Sequence, residues 1–532
     1  MNDTGHVFVV RGRLENLDCD AVVIPTDRAF NVETTWAPAL GVNEPRAGYA
    51  FGMRPHDWET KRWGRSTVPG DGQVPVWFTD VAVDPEIPWD ATDLQVDAVV
   101  TRLASVLEDA ARNAKHPQND RPRPLIAVPT LGVSRGGFGR HRGAMIQALL
   151  QTCEDAVARL PIDVVVVAFN PADHSAFQAL RRQRAEPPGD EVRRLAELAR
   201  GGSLALFVGA GVSASAGLPS WTGLLEELTA RLPEDVGVAE LASPLDQAQL
   251  LRNVMDPTGD THHLGEHVRE IVTQQQRYGL AHALVASLGC DHVVTTNYDE
   301  LYEKAVRDLG EDAVVVLPGE ANPPSKPWLL KMHGSVTDPS KIVLSRADFV
   351  GFHARSGPFG AVVQSLMLTE HLLVVGSSMT DDNVLRLAHE VLAVRGKNEA
   401  FATVVTFDVP AGLERLWENS FTFVTVGEGS GDRPREGRGR DARRLAIFLD
   451  TVAMHAAPTR HVLDGRYLAV LDDRARDAAL QARALRKSLR ALPVEMASDF
   501  AALSAALDEL GAGGPDPDRG VSGSWDGLTD SR

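Results

Sequence analysis

Four short polar clusters in this chain of 532 residues each stand directly past an apolar run. Gly209, Ala210, Gly211 and Ser213 follow "LALFV", with Pro219 and Trp221 a few positions on. Thr296, Asn297 and Asp299 follow "DHVVT", His333 follows "WLLKM", and Gly376, Ser377 and Asp382 follow "HLLVV". Glycines at a strand-to-helix turn let a ligand come close to the backbone, and a helix N-terminus offers free N–H groups to phosphate. Asparagine brings a donor and an acceptor that suit a hydroxyl or a water. A histidine titrating near neutrality can take a proton. In an open parallel sheet, ligands bind outside the carboxyl ends of the strands, so four clusters at four such ends can converge on one crevice.

Each cluster also has a plainer reading. The glycine turn lacks the Gly-x-Gly-x-x-Gly spacing and the Walker lysine, and glycine serves many tight connections. Asn297 suits a helix cap, Asp299 an N-cap or first-turn acid, and His333 a buried ring with satisfied nitrogens. His353 and His371 read as structural or surface residues.

The elements that must position these residues are strands alternating with helices. "HVFVVRGRLENLDCDAVVIPTD" opens the chain as strand, turn, short helix or loop, strand. A stretch from 31 to 90 holds Trp36, Trp58, Trp63, Trp77 and Trp89, five of the nine tryptophans, which predicts a packed excursion and not a linker. A helix over 92–114, a strand in "PLIAVPTLG", a Gly-rich turn "SRGGFGRHRG", a helix over 141–159 and a strand in "IDVVVVAFN" complete a first α/β domain, 1–183. "RAEPPGDE" punctuates the boundary. A second α/β domain, 192–455, has predicted strands in "SLALFVGA", "DHVVTTN", "AVVVLPG", "WLLKMHG", "KIVLS", "HLLVVGSS" and "FATVVTFD", with 427–444 as a surface loop. Residues 456–510 have helical periodicity, and 511–532 the composition of a disordered tail.

The net charge of −18 argues against a broad electrostatic grip on nucleic acid, and none is expected. The N-terminus has neither a basic n-region nor a long apolar h-region, and no apolar run reaches the length of a membrane span. Three scattered cysteines, Cys19, Cys153 and Cys290, fit a reducing compartment. The expectation is a cytoplasmic protein without membrane association.

Over 200–455 the motifs resemble the sirtuin family. Gly209-Ala210-Gly211-x-Ser213 with Gly217-x-Pro219 resembles its nucleotide-binding signature, "TTNYD" its Thr-Gln-Asn-Ile-Asp, "KMHGS" its His-Gly segment and "VVGSSMTDDN" its late Gly-Ser turn. The resemblance implies a Rossmann-like NAD site, with the phosphates on the Gly-Ala-Gly turn and the nicotinamide ribose near Asn297 and His333. Deacylating sirtuins carry a four-cysteine zinc module that three scattered cysteines cannot build. Thr296 stands where their glutamine does, and Pro219-Ser220-Trp221 replaces their Pro-Asp-Phe-Arg. "IVLSRADF" and "VGSSMTDDNVLRL" look like the sirtuin-like domains of bacterial anti-phage systems, which hydrolyse NAD to nicotinamide and ADP-ribose. The resemblance thus implies an NAD glycohydrolase that depletes NAD in anti-phage defence. NAD is then substrate, no metal is needed, Asn297 and His333 are catalytic and Asp299 orients the loop. An NAD-dependent deacylase and a non-catalytic nucleotide sensor are the alternatives. A toxic hydrolase needs restraint, so a homo-oligomer or a second defence-system protein is expected as partner.

The opening of the chain resembles macro domains: Gly12, Asp20 and Ala21 fit their Gly-Asp-Ile and Asp-Ala-Ile-Val-Asn pattern, and "VPTLGVSRGGFGRHRGA" is similar to their phosphate loop. Arg13 takes the place of the adenine-reading acid, and Pro25-Thr26-Asp27 that of the Asn pair. Gly136, Gly137, Phe138 and Gly139 keep a phosphate-loop character. The fold class expected overall is α/β: two parallel-sheet domains, the first macro-like with three layers and the second Rossmann-like, followed by helices.

Overall fold

The computed structural model describes residues 4–68, 74–88, 90–114, 116–134, 136–257, 262–310, 315–318, 327–377, 381–395, 400–427 and 435–512. Of the tail expected over 511–532, all beyond 512 lies outside the described residues, as do Trp89 and the side chain of His353.

The protein is α/β, built on two sheets. The first contains β1 (Val7–Arg11), β2 (Ala21–Thr26), β3 (Trp63–Arg65), β4 (Val76–Asp80), β5 (Leu125–Pro129) and β6 (Asp163–Ala168), in the order β1-β6-β5-β2-β4-β3. All neighbours are parallel except β3, which runs antiparallel to β4 at the edge, so this sheet is mixed where a parallel one was expected. The apolar runs that predicted β1, β2, β5 and β6 are buried along almost their whole length, as strands covered on both faces must be. The tryptophan-rich excursion is packed: the buried rings of Trp58 and Phe78 each meet Phe30 edge-to-face, at centroid distances of 4.9 Å.

The second sheet is parallel throughout. Its strands are β7 (Leu204–Val208), β8 (His292–Thr295), β9 (Val315–Leu317), β10 (Trp328–Lys331), β11 (His371–Val375), β12 (Ala402–Thr406) and β13 (Phe421–Thr425), in the order β13-β12-β11-β7-β8-β10-β9. The chain leaves β7 towards β8, β10 and β9, then crosses back to β11 on the other side of β7. The strand order therefore reverses between β7 and β11, and a crevice opens at their carboxyl ends. Two strand expectations need correction. "KIVLS" is not a strand: Ile342 and Leu344 are buried in irregular chain that folds back on the His333 turn, with Val343 N–H donating to the His333 carbonyl at 3.0 Å. β13 was not anticipated; it is an edge strand whose outer residues are only half-buried, which weakens its apolar signal. The expected loop over 427–444 is in its second half the start of a long helix, Arg435–Ala456.

That helix joins the two halves. It packs on the helix Asp190–Arg200, on Leu280–Ala286 and on β1. One continuous apolar cluster contains Phe8, Val10 and Ile24 of the first sheet, Leu206 and Val208 of the second, and Leu195, Leu284 and Leu449 of the helices between. The opposite faces are covered separately, by Thr92–Asn113 and Arg142–Arg159 on the first sheet and by Arg346–Thr369 and Asp382–Arg395 on the second. The first unit thus has three layers only because its neighbour supplies one of them. Asp450, fully buried on the joining helix, accepts from Arg181 Nη1 at 3.0 Å and lies 2.7 Å from His6 Nε2. Burial opposes its ionisation, but Arg181 and His6 hold its carboxyl down at about 2.

Residues 456–510 hold a 3-10 turn, Gly465–Val470, and the helices Asp473–Arg490, Val494–Ala497 and Ala501–Leu507. The turn is fixed to the first unit, where Tyr467 is buried in its core and donates to Asp173 at 2.7 Å. Among the described residues, no helix is long and apolar enough to cross a membrane.

In the loop after β5, Gly136 is required by packing. A Cβ on Gly136 would lie 2.6 Å from the Val81 carbonyl oxygen and 2.7 Å from Gly132 Cα. Gly132 and Gly136 border a cavity of about 320 Å³ with Thr26, Asp27 and Trp36, at the carboxyl ends of β2, β4 and β5.

Candidate active site

The glycines past β7 and β11 interlock at the point where the strand order reverses. Gly209 N–H donates to the Val375 carbonyl at 2.9 Å, and Gly211 N–H to the Gly376 carbonyl at 2.8 Å. A Cβ on Gly209 would meet the Gly376 carbonyl oxygen at 2.5 Å. Gly376 adopts φ +71°, and a Cβ there would lie 2.6 Å from the Val212 nitrogen. These glycines let two turns touch, and the N–H groups of Gly209 and Gly211 are occupied by that contact.

Beside them lies a cavity of about 440 Å³. Gly209, Ala210, Ser213, Pro219, Trp221, Thr296, Asn297, Asp299, His333, Gly376 and Ser377 all line it. Gly211 does not, because it faces Gly376. The side chain of Asp382 lies outside the described residues; its neighbour Asp381 lines the cavity. Asp381 caps the helix Asp382–Arg395, its Oδ1 accepting from Asn383 N–H at 2.9 Å, and its Oδ2 stands 3.3 Å from His333 Nε2.

A chain of directed hydrogen bonds holds Asn297. Thr295 Oγ1 donates to the Val208 carbonyl at 2.7 Å and accepts from Asn297 N–H at 3.0 Å, which ties the β8 end to β7. Asn297 Nδ2 donates to the Gly209 carbonyl at 3.2 Å and to Ser213 Oγ at 2.9 Å. Ser213 Oγ donates in turn to Asp299 Oδ2 at 2.7 Å, and Asp299 Oδ1 accepts from Leu301 N–H at 3.0 Å. The Asp299 carbonyl accepts from Lys331, itself buried and paired with Glu303 at 2.8 Å. With Nδ2 doubly engaged, Asn297 Oδ1 is left buried without a protein partner. A buried acceptor without a partner costs about 1–3 kcal/mol, an expense that a bound donor removes.

His333 is the second such group. Its ring is buried against Phe349 and Phe352, at centroid distances of 5.1 and 5.9 Å. Nε2 lies at ion-pair distance from Asp381, but the direction is not that of a hydrogen bond. Burial lowers the pKa of the ring, outweighing the opposite pull of Asp381, so the imidazole is neutral at pH 7. Phe349 is set by the start of its helix: Ser345 Oγ and the Asp348 carboxylate form a capping box, and Arg252 Nη1 reaches both at 3.0 and 2.8 Å. "SRADF" therefore reads as a helix start that delivers an aromatic wall.

Residues 291–424 match the SIR2-like domain family. The chain is also similar to proteins named NAD(+) hydrolase ThsA: 28% identical over 213 residues to that of Enterococcus faecium, covering 39% of this chain and 44% of the relative. The likeness to that of Bacillus cereus (strain MSX-D12) is 28% over 184 residues, 34% and 38% of the two chains. Defense-associated sirtuin 2 of Bacillus subtilis is 26% identical over 207 residues, 38% of this chain and 20% of the relative. The chain spans less than half the length of these curated relatives.

Two features of this site are not legible in the sequence. Adjacent aspartates carry no sign of which faces inward, so the sequence does not single out Asp381 over Asp382. His282, on the helix Leu280–Ala286, is buried with its Nε2 3.2 Å from Ser213 Oγ. A lone histidine in "LAHALVA" reads as core, and nothing in the spacing links it to Ser213. Among the described residues, no three His, Cys, Asp or Glu side chains converge to hold a metal ion.

Proposed function

We propose that the protein hydrolyses NAD to nicotinamide and ADP-ribose. The observation that carries this reading is a pair of buried atoms without a hydrogen-bond partner, Asn297 Oδ1 and His333 Nε2, on one cavity at the reversal point of the second sheet. Relatives named NAD(+) hydrolase support it. The dinucleotide lies along the Gly209–Ala210 and Gly376–Ser377 turns, with its nicotinamide ribose between Asn297 and His333. Heterolysis of the N-glycosidic bond sends the electron pair to the departing nicotinamide, which leaves neutral, and positive charge develops on the ribose. The Asp381 carboxylate lies where that charge is favoured. Asn297 Oδ1 accepts a hydrogen bond from a ribose hydroxyl or from the attacking water. The neutral His333 ring accepts the water's proton as the new C–O bond forms, and Asp381 stabilises the imidazolium.

In the cell, NAD loss of this kind serves anti-phage defence, and restraint by a homo-oligomer or a second defence-system protein accompanies it. The catalytic domain corresponds to 192–455, with 1–183 and 456–510 as accessory regions. The test is substitution in the full chain. Asn297→Ala and His333→Ala each abolish NAD turnover while the thermal unfolding profile stays cooperative. Near-wild-type turnover in either variant removes that residue from catalysis.

A further inference from the structure

Two walls of the cavity come from segments that take no part in the bond-making above. Ser243, Pro244 and Leu245, at the start of the helix Pro244–Met255, form one, and Phe349, in the first turn of the helix Arg346–Thr369, forms the other. Side chains clasp the two helices together. Arg346 Nη2 donates to Ser243 Oγ at 2.7 Å and to Asp246 Oδ2 at 3.0 Å, and Gln249 Oε1 accepts from Ala347 N–H at 3.0 Å. The Arg346–Asp246 pair is exposed, its side chains 45% and 44% accessible, and pairs of that kind contribute little. The inner link is sheltered, with Arg252 and Asp348 only 17% and 9% accessible. One nitrogen, Arg252 Nη1, donates both to Ser345 Oγ at 3.0 Å and to Asp348 Oδ1 at 2.8 Å. Asp348 Oδ2 meanwhile accepts from Ser345 N–H at 3.0 Å and from Ser345 Oγ at 2.8 Å. Phe349 follows directly, and its ring meets two others edge-to-face, His333 at 5.1 Å and Trp221 at 6.1 Å between centroids. Arg252 itself does not line the cavity.

We propose that Arg252 is a positioning residue, which clasps the helix Pro244–Met255 to the Ser345–Asp348 turn and thereby holds Phe349 against His333 and closes that side of the cavity. The inference rests on the role given to His333 above. Without the guanidinium, Ser345 and Asp348 keep their own bonds and the helix still starts there. It is no longer tied through its cap to the helix opposite. The two walls then part, water reaches the His333 ring, and the ribose loses its fixed distance from Nε2.

Three substitutions in the full chain test it. Arg252→Met keeps an unbranched stem and removes the donor. Arg252→Lys puts back a single nitrogen donor, which suffices because Nη1 makes both bonds. Phe349→Leu removes the ring on which the clasp acts. R252M lowers kcat for NAD about tenfold, and R252K recovers most of that loss. In the F349L background, adding R252M costs less than about twofold, because both changes act through one contact. Equal losses in R252M and R252K, or an undiminished cost of R252M in the F349L background, overturn the proposal. A second readout does not need turnover: the His333 ring signal in 13C-histidine-labelled protein, assigned by its disappearance in H333A. The ring current of Phe349 sets its position, so it moves in R252M and returns in R252K. An unmoved signal in R252M overturns the positioning role even if the protein cleaves NAD. A wild type that leaves NAD intact removes the hydrolase reading and leaves the ring signal to decide this one.

Discussion

Asn297 Nδ2 lies 2.9 Å from Ser213 Oγ, across 84 positions of sequence, and this bond joins the turn after β7 to the turn after β8. Gly209, Gly211 and Gly376 bring the turn after β11 into backbone contact with the same turn after β7. The site is thus a property of how three strand ends meet.

Gly376→Ala is expected to break that meeting. The new methyl would fall on backbone atoms, 2.6 Å from the Val212 nitrogen and 3.0 Å from the Gly209 oxygen, at a residue with φ +71°. The substitution should cost more than about 2 kcal/mol and abolish NAD binding, as read by thermal unfolding and titration calorimetry. Gly412→Ala, whose methyl would meet nothing within 4 Å, is the control and should leave both unchanged.

Asp450→Ala leaves Arg181 charged, buried and without its carboxylate. A destabilisation of about 3–5 kcal/mol is expected in denaturant titration. For the same reason residues 192–455 expressed alone should be insoluble or molten, since their joining helix would expose the face that covers β1. A cooperative unfolding transition from that fragment would contradict the shared core.

Turnover should depend on a neutral His333. Because burial holds its pKa below the ordinary 6.5, activity is flat near pH 7 and falls only as the solution is acidified below 6.5. A pH–rate profile that rises on going from pH 7 to 6 would assign the ring the role of acid instead.

Stability should fall over an overlapping window. Burial, reinforced by Arg11 and Arg181, lowers His174 to about 3, and burial lowers His282 to about 4. Both are neutral in the folded chain, while the unfolded chain takes up protons near 6.5. The unfolded state therefore binds more protons below that pH, and each histidine removes about 1.4 kcal/mol per pH unit until its folded value is reached. The urea midpoint should drop between pH 7 and pH 5. Replacing His174 with glutamine should flatten that slope.

Much of the fold is legible in the sequence because fully buried parallel strands leave unbroken apolar runs. "LALFV", "HLLVV" and "DVVVVA" are each strands over their whole length. The polar residues that end such runs are legible for the same reason, since a strand's carboxyl end is where the chain turns towards the crevice. What the sequence does not carry is pairing at a distance. "KIVLS" has a strand's composition, but its apolar side chains bury against the His333 turn. The first sheet reads as complete in itself, although one of its covering layers comes from residues 190–200, 280–286 and 435–456. His282 meets Ser213, and Asp381 meets His333, across distant segments of the chain, which no spacing records.

The most direct test of the account is to incubate the purified full-length protein with NAD, alone and with extract of phage-infected cells, and to separate the products. Nicotinamide and ADP-ribose should appear in equal amounts with the wild type in at least one arm, and in neither arm with N297A or H333A. NAD recovered intact from the wild type in both arms would contradict the hydrolase assignment.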